Sequence, residues 1–420
     1  MPAYLIEPTD VLFFRDGIPM SAGMGKGHGC RLPFPSTLHE GFRASLLKHT
    51  SQEVTTKGVR GRDHKLIATK AFSSMRSAGP LPWHQDHGVL LPVPLDAAFN
   101  KEKTCLHRLE LLVQPRPTSP SDAFHPACLP VATTPPDKHG ALSGWWTIAQ
   151  YQTYLQGGSA DLQPVPTDEL WRAEHRIGVQ IDPGSFAAAE GQLFAGKFLR
   201  SDEKTRIFFD AELRDSAAAT NGEGGALETI HWLLLGGEQR IARLHSEKTD
   251  PLHAMRRPPV PTTGDGPVLL KWVLITPAIF AHGSLPGWCS HPAGKPDGLP
   301  IGRVRLGASR RKVNNASAAP LPGKAALVSW CLGRPQTVTG WDNMEQQAKP
   351  TQLAVPAGSV FYFLCENAAT ATALAQKLHW QPRSDHYGEK GCGYGLVSFD
   401  ARLHPTSPDI RHLANTLFKA

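Results

Sequence analysis

Residues 4–14 read Tyr4-Leu5-Ile6-Glu7-Pro8-Thr9-Asp10-Val11-Leu12-Phe13-Phe14, two apolar runs separated by four turn-forming residues. Branched and aromatic residues favour strands, so residues 4–6 and 11–14 predict one strand and its continuation, interrupted by a turn at residues 7–10. A glycine-rich loop follows at residues 23–31, and a helix is predicted after it. Strand, loop and helix in this order open a βαββαβ unit.

The helix after the loop is predicted from its start signal and its periodicity. Thr37 and Glu40 have the spacing of a capping box, in which two side chains satisfy backbone N–H groups of the first turn. Leu38, Phe42 and Leu46 recur at helical spacing and therefore predict one buried face.

The same order of elements returns towards the C-terminus. Strands are predicted at residues 269–275, 325–331, 359–364 and 395–399, with an alanine-rich helix at about residues 368–378. We therefore predict an α+β fold of tandem ferredoxin-like, RRM-like βαββαβ domains with glycine-rich loops and an irregular insertion.

The region between the two units contains ordered and irregular stretches. Residues 176–181 and 205–209 predict strands, and the apolar run at residues 230–235, ended by two glycines, predicts a helix. Residues 100–165 are rich in Pro, Ser, Thr and His and have weak periodicity, which indicates an irregular surface insertion.

A proline-rich stretch sets the predicted domain boundary. Residues 256–267 contain four prolines, which cannot continue a helix or a central strand. We therefore predict an N-terminal domain at residues 1–255, a linker at 256–267 and a C-terminal domain at 268–420.

Composition limits the class of protein. Apolar residues make up 40% and charged residues 19% of the 420, which excludes wholesale disorder. The net charge of +7 and the sequence pI near 9.0 favour an anionic partner, of which nucleic acid is the commonest. The seven cysteines are scattered and never spaced C-x-x-C, which argues against a disulfide framework and structural zinc.

The sequence also predicts where the protein resides. Residues 1–7 lack the basic stretch and apolar core of a signal peptide, and no run of about 18 apolar residues occurs. We expect a cytoplasmic protein with no membrane segment, and we expect no cofactor and no metal.

The first glycine-rich loop combines bare backbone with basic side chains. Gly25 and Gly27 would let backbone amides approach a phosphate, and Lys26, His28 and Arg31 lie beside them. The loop is not a phosphate-binding Walker A loop, because Gly27 stands where that motif needs Ser or Thr. A flexible surface loop is the alternative interpretation.

A second glycine-rich loop lies between the last helix and the last strand. Lys390, Gly391 and Gly393 predict contact with RNA or a partner, although a structural turn would also explain the glycines. Tyr394 could stack on a base or fill the core, and the core is favoured. Arg240, next to a third glycine pair, could meet phosphate or pair with Glu238.

Catalytic and metal-binding motifs are absent from the sequence. It contains no D-x-D-x-D loop, no H-E-x-x-H and no nucleophile elbow. His28 or His39 could act as a general base beside an RNA 2′-hydroxyl, but a lone histidine near a basic loop is more often a contact or surface residue. We therefore expect a protein that is not an enzyme.

Several motifs, in order along the chain, resemble one known family. Residues 10–17, 32–37 and 41–43 look like the third subunit of the type III-B (Cmr) CRISPR effector complex, in the RAMP superfamily. Further similar stretches cover most of the chain outside residues 100–165; they are residues 91–96, 174–178, 190–194, 235–238, 276–280, 340–342, 356–360 and 393–395.

The resemblance implies a partner set and a role. It implies tandem ferredoxin-like domains, binding of the repeat-derived 5′ handle of the CRISPR RNA, and a hetero-oligomeric complex. It also implies contact with the large polymerase-like Cmr subunit and with a Cmr backbone subunit, and it implies no catalytic role.

Our hypothesis is that basic side chains and loop amides hold the phosphates of a single-stranded handle, while shape and stacking fix a few bases. Two alternatives stay open: a metal-independent RAMP endoribonuclease that processes repeat RNA, and a purely structural assembly protein. The candidate RNA contacts are Lys26, His28, Arg31, Ser36, Arg176, Arg200, Arg240 and Lys390, with Arg15 and Thr37 as weaker candidates and Gly25, Gly27, Gly391 and Gly393 supplying amides.

Overall fold

The structure is a computed structural model of the chain. It describes residues 1–14, 25–27, 32–50, 59–60, 66–67, 72–99, 106–113, 126–131, 143–158, 162–213, 230–237, 240–261, 266–289, 302–304, 320–342, 347–399 and 408–418.

Strands dominate the described residues. They are β1 (Ala3–Pro8), β2 (Gly25–Gly27), β3 (Val59–Arg60), β4 (Leu66–Ile67), β5 (Met75–His84), β6 (Gly88–Pro92), β7 (Ala97–Phe99), β8 (Leu106–Arg108), β9 (Glu110–Val113), β10 (Cys128–Val131), β11 (Trp145–Thr147), β12 (Trp171–Ile181), β13 (Ala188–Ser201), β14 (Thr205–Leu213), β15 (Trp232–Leu235), β16 (Arg240–Glu247), β17 (Val268–Leu274), β18 (Gly302–Arg303), β19 (Ala325–Cys331), β20 (Gln336–Val338), β21 (Trp341–Asp342), β22 (Gln347–Ala348), β23 (Gln352–Ala354), β24 (Val360–Cys365) and β25 (Gly395–Phe399).

Helices are fewer. The α-helices are α1 (Pro35–His49), α2 (Ile148–Leu155), α3 (Thr167–Leu170), α4 (Ala368–Leu378) and α5 (Pro408–Phe418), and short 3-10 helices cover His253–Arg256 and Gly388–Lys390. None of the described helices is long and apolar enough to span a membrane.

Two antiparallel sheets form the body of the molecule. The seven-stranded sheet has the order β11-β6-β5-β14-β1-β16-β15, and the five-stranded sheet has the order β18-β19-β24-β17-β25. Neighbouring strands in both sheets run antiparallel. The fold is therefore mixed α and β with predominantly antiparallel sheets, which confirms the α+β prediction at this level.

The two large sheets share a hydrophobic core. Leu5 and Phe208 are directly paired on one face of the seven-stranded sheet. They belong to the same buried cluster as Val273 and Leu364 of the five-stranded sheet. Because side chains alternate between the faces of a strand, the neighbours of Leu5 and Phe208 point the other way.

The opposite face of the seven-stranded sheet is covered by α1. Ile6 and Ile207 pack there with Phe42 and Leu46 of the helix, and all four are fully buried. Full burial of each such side chain stabilises the fold by roughly 1.5–3 kcal/mol before the loss of chain entropy. The predicted apolar face of this helix is confirmed.

A long hairpin extends from the body. β12 and β13 pair along almost their whole length, and β2 joins the far side of β13 in parallel, so the order is β12-β13-β2. Asp182 Oδ1 accepts hydrogen bonds from the N–H groups of Gly184 and Ser185 at 3.0 and 2.7 Å, which stabilises the hairpin turn.

Three local predictions were wrong. Residues 230–235 contain a strand, β15, because Leu233 and Leu235 pack inward while Trp232 and Leu234 point outward with period two. α1 starts at Pro35 after Phe34, with no side-chain cap, so the capping box is not formed. Residues 11–14 do not continue β1; Leu12 instead exchanges two backbone hydrogen bonds with Leu199, both 2.8 Å.

The described parts of the predicted insertion at residues 100–165 include regular elements. β11 extends the seven-stranded sheet, and α2 starts with a capping box between Thr147 and Gln150 that the sequence analysis missed. The division of the chain into two domains with a linker at residues 256–267 stays a prediction.

Candidate nucleic-acid interface

Three predicted contact residues, Arg176, Arg200 and Arg240, meet around Asp10. Nη2 of Arg176 donates to Asp10 Oδ2 at 3.1 Å, Nη2 of Arg200 donates to Oδ1 at 3.1 Å, and Nη1 of Arg240 lies 3.7 Å from Oδ2. Glu174 accepts from Nε of Arg176 at 2.7 Å and from Nε of Arg200. These five residues are the arginine cluster.

Strand register brings the cluster together. In the β12–β13 hairpin Arg172 is opposite Arg200, Glu174 is opposite Phe198 and Arg176 is opposite Gly196. Alternate residues of a strand share a face, so the side chains of the cluster from both strands lie on one face of the hairpin. The turn after β1 and the start of β16 supply the remaining two members.

Aromatic rings support the guanidinium groups. The ring centre of buried Phe198 lies 5.4 Å from Cζ of Arg176 and 5.3 Å from Cζ of Arg240. Phe13 packs against Phe198 with a centroid distance of 4.8 Å. Each cation–π contact is worth about 0.5–1 kcal/mol at an exposed site, and the two contacts restrict where the guanidinium groups can lie.

Mutual charges keep the cluster ionised. Partial burial would raise the pKa of Asp10, but hydrogen bonds from Arg176 and Arg200 outweigh it and lower that pKa. Hydrogen bonds from Arg200 and Arg176 lower the pKa of Glu174, and those from Glu174 raise the pKa of both arginines. The five side chains of the cluster comprise three guanidinium groups and two carboxylates, so their summed charge is +1.

The arginines retain unused hydrogen-bond donors. A guanidinium has five N–H donors. Arg176 and Arg200 donate to the carboxylates through Nε and Nη2, and their Nη1 groups have no partner among the described residues. Both side chains are partly exposed. The carboxylates thus orient the guanidinium groups without consuming their capacity to bind an external anion.

The first glycine segment lies on the other side of β13. Gly25, Lys26 and Gly27 form β2, whose partners are Phe194, Ala195 and Gly196 of β13. Neighbouring strands are about 4.8 Å apart, so the backbone of β2 is roughly 10 Å from that of β12. The structure therefore places this predicted glycine segment beside the strand that carries Arg200.

A second group of predicted residues gathers at the start of α1. Ser36 is half-buried and Thr37 is exposed, both in the first turn of the helix. Nζ of Lys390 donates to Glu40 Oε1 at 2.5 Å. Burial alone would lower the pKa of Lys390 and raise that of Glu40, but the attraction between the two raises the former and lowers the latter to about 2. Lys390 is thus partly neutralised within the chain.

The glycines of the second loop are required by packing. A Cβ on Gly391 would lie 2.7 Å from the carbonyl oxygen of Gly79, and one on Gly393 would lie 2.2 Å from the backbone nitrogen of Ser384. Both glycines have a positive φ and are buried. Tyr394 is also buried, which confirms its predicted place in the core. Close packing accounts for these glycines, and their contact with RNA stays a prediction.

The chain itself limits the distance between the glycine segment beside the arginine cluster and the predicted residues at the start of α1. Gly27 and Ser36 are nine residues apart, which at about 3.4 Å per extended residue allows at most roughly 30 Å.

Three further predicted contact residues, Arg15, His28 and Arg31, lie outside the described residues.

Comparison with known proteins identifies the family. Residues 4–399 match the sequence profile of the family described as CRISPR-associated protein (Cas_Cmr3). The chain belongs to this family. The match confirms the resemblance that the motifs predicted.

Chains in solved structures are similar to this Cas_Cmr3 chain at low identity. One, from "Cryo-EM structure of the Type III-B Cmr-beta bound to cognate target RNA and AMPPnP, state 1", is 14% identical with a TM-score of 0.42, and 86% of each chain is covered. Another, from "Crystal structure of Csm3-Csm4 subcomplex in the type III-A CRISPR-Cas interference complex", is 9% identical with a TM-score of 0.37, covering 87% of this chain and 92% of that one. A search of curated proteins found no match.

His39, one of the two candidate general bases of the endoribonuclease alternative, is buried inside the Cas_Cmr3 chain. Its Nδ1 lies 2.9 Å from the hydroxyl of buried Ser77, and burial lowers the pKa of the imidazole to about 3. An imidazole in this position cannot reach an RNA 2′-hydroxyl. The suggestion that His39 acts as a general base is therefore wrong.

The sequence analysis missed the acidic and aromatic members of the site. Asp10 was interpreted as a turn residue and as part of a family motif, and Glu174 only as part of a family motif. The available signal was the spacing of Glu174 and Arg176 at the start of the strand predicted for residues 176–181, since residues two apart on a strand share a face. Among the described residues, no group of three or more His, Cys, Asp or Glu side chains is placed to hold a metal ion.

Proposed function

We propose that this Cas_Cmr3 chain is a non-catalytic RNA-binding subunit of a type III-B CRISPR effector complex. It holds the repeat-derived 5′ handle of the CRISPR RNA and bridges the large polymerase-like subunit to the backbone subunits. The arginine cluster beside the glycine strand β2 carries this proposal.

The cluster suits a single-stranded phosphate backbone. A guanidinium binds phosphate through parallel N–H groups, and Asp10 and Glu174 hold Arg176 and Arg200 in fixed orientations before RNA arrives. Preorientation reduces the entropy lost on binding. Such contacts are independent of base identity, so sequence preference for the handle would come from stacking and shape elsewhere on the surface.

The strand orders support tandem ferredoxin-like units. A βαββαβ unit pairs its strands as fourth, first, third and second. In the seven-stranded sheet, the neighbouring strands β16, β1, β14 and β5 have this order, and α1 lies between β1 and β5 along the chain. In the five-stranded sheet, β25, β17, β24 and β19 have the same order, and α4 lies between β24 and β25 along the chain.

The test is the salt dependence of handle binding in the reconstituted complex. Arg176→Gln/Arg200→Gln is compared with wild type by measuring the dissociation constant of a 5′-handle RNA between 50 and 300 mM salt. If both arginines contact phosphate, the slope of log affinity against log salt falls by about 1.4, since each contact to single-stranded RNA contributes about 0.7. The matched control, Arg334→Gln, removes an exposed charge from another part of the chain and should leave the slope unchanged.

Two other variants separate orientation from charge. Glu174→Gln adds net positive charge but replaces one of the two acceptor oxygens with an NH2 donor, so only one of Arg176 and Arg200 keeps its acceptor. We therefore expect weaker handle binding despite the added charge. Binding that strengthens instead would show that the cluster acts only through net charge. A double-arginine variant with the wild-type slope would refute the assignment and favour the assembly-protein alternative. Cleavage of repeat RNA by the purified chain without metal would favour the endoribonuclease alternative.

A further inference from the structure

The seven-stranded sheet carries an exposed apolar surface on β15 and β16, at one end of its strand order. Trp232, Leu234 and Ile241 are 50%, 39% and 49% exposed, although large apolar side chains are usually buried. Leu234 is directly opposite Ile241, and Trp232 is directly opposite Arg243. These four residues are the edge patch.

The edge patch continues a face that is already an interface within the chain. Leu5 lies opposite His245 in register, so the two side chains are on the same face of the sheet. Arg243 is two residues from His245 on β16 and therefore lies on this face too. Leu5 is buried in the cluster shared with the five-stranded sheet. The same face continues onto β16 and β15, beyond the part that the five-stranded sheet covers. β15 is the last described strand of the seven-stranded sheet.

Arg243 is the charged member of the edge patch. Its Cζ lies 5.1 Å from the centre of the Trp232 ring. Glu7 is opposite Arg243 in register, but its Oε2 pairs with Nε2 of His245 at 2.8 Å and with Nε of Arg206 at 3.4 Å. Among the described residues Arg243 has no carboxylate partner, so the patch presents an available guanidinium beside three apolar side chains.

We propose that the edge patch is a docking site for another protein subunit, whose surface presents apolar side chains flanked by a carboxylate. Trp, Arg and branched aliphatic residues together are typical of the central part of protein interfaces, where a buried anchor carries much of the binding energy. The partner's carboxylate pairs with Arg243 while its apolar side chains cover Leu234 and Ile241. This inference rests on the proposed membership of a multi-subunit complex.

The chemistry of the patch favours protein over RNA. Leu234 and Ile241 have no π face on which a base could stack and no hydrogen-bond donor. One face of Trp232 is already next to the guanidinium of Arg243. The arginine cluster differs, because buried Phe198 lies beneath the guanidinium of Arg176, whose Nη1 has no partner among the described residues.

Photocross-linking in the intact complex tests the occupant. p-Benzoylphenylalanine replaces Leu234 in the full chain, the complex is assembled with its RNA, and mass spectrometry identifies the cross-linked peptide. We expect a peptide of another subunit that contains an acidic residue. A cross-link to RNA, to a second copy of this chain or to residues 214–229 of the same chain, or no cross-link, would overturn the proposal.

A substitution measures the contribution of the patch to assembly. Ile241→Asp should lower the recovery of the cross-linked subunit with the tagged chain at least ten-fold. The control Leu353→Asp makes the same kind of change at an aliphatic residue that is 56% exposed on β23 and should leave recovery within two-fold. Equal recovery with both variants would overturn the proposal. Arg243→Glu, rescued by an acid-to-lysine change in the partner peptide, separates docking from misfolding.

The same purifications separate this inference from the proposed function. Handle RNA and partner subunits are measured first with the wild-type chain, where their absence would count against the proposed function itself. Retained RNA with loss of one subunit in Ile241→Asp supports the edge patch alone. Loss of RNA with all subunits retained would overturn the edge patch as a protein site.

Discussion

Replacing Lys271 by Met should destabilise the fold strongly, because Lys271 is a buried cation that pairs with buried Asp96. Its side chain is 2% exposed and its Nζ lies 3.4 Å from Oδ2 of fully buried Asp96. Tyr154 and Tyr362 complete the site: Nζ of Lys271 donates to the Tyr154 hydroxyl at 2.8 Å, and the Tyr362 hydroxyl donates to Asp96 at 2.7 Å. Lys271 and Tyr362 lie on β17 and β24 of the five-stranded sheet, whereas Asp96 lies in the turn before β7 and Tyr154 lies on α2. The cluster therefore joins segments that are far apart in the sequence.

The magnitude follows from the cost of an unpaired buried charge. Removing one partner of a buried ion pair costs about 3–5 kcal/mol, because the remaining charge keeps its desolvation penalty without its attraction. Lys271→Met and Asp96→Asn should each lose about this much. Lys271→Met/Asp96→Asn removes both charges, so its loss should be smaller than the sum of the single losses by at least about 2 kcal/mol.

Equilibrium urea unfolding followed by circular dichroism measures these free energies. Lys204→Met is the matched control, since Lys204 pairs with Asp86 at 2.9 Å but both side chains are about half exposed, so no measurable loss is expected. Additive single losses, or a Lys271→Met variant as stable as the control, would refute the reasoning.

Three further predictions concern buried titratable groups and strained glycines. Burial lowers the pKa of His39 to about 3, so wild type should lose stability relative to His39→Gln as pH falls below 6.5, by about 1.4 kcal/mol per pH unit; a constant difference in urea unfolding between pH 7 and 5 would contradict this. Burial raises the pKa of Asp210 to about 6 despite its partner Arg256, so wild type should instead gain stability relative to Asp210→Asn as pH falls from 7 to 5, and a loss in the same assay would exclude it. Gly393→Ala should cost more than about 3 kcal/mol by thermal or urea unfolding, because the new Cβ meets Ser384 at 2.2 Å. Gly191→Ala, with a similar φ but nothing within 4 Å, should cost only about 1–2 kcal/mol, and equal losses would show that the contact is not the cause.

Elements with strong local signals could be predicted from the sequence. The helix at residues 368–378 has the bounds that its composition indicated, and Asn367 caps it by accepting a hydrogen bond from the N–H of Thr370 at 2.9 Å. β19 also has the predicted bounds. In these segments propensity, periodicity and boundary residues all indicate the same secondary structure, so contacts with neighbouring elements do not change it.

Short apolar runs could not be assigned in this way. Residues 230–235 fit a buried helix or a strand equally well by composition. Pairing of Leu234 with Ile241 and of Leu235 with Arg240 selects the strand, and this pairing depends on the position of β16. The strand assignment also exposes Trp232, which composition alone would place in the core.

By itself the sequence determined the family, through ordered motifs spanning most of the chain, and the presence of basic residues and glycine loops suited to phosphate. Only the tertiary structure decided which of those residues meet. Asp10 is 166 residues from Arg176 and 190 from Arg200, and no local periodicity relates positions so far apart. Their contact depends on β13 lying beside residues 11–14, where Leu12 and Leu199 exchange backbone hydrogen bonds. Burial of both leucines in the same core cluster favours that arrangement.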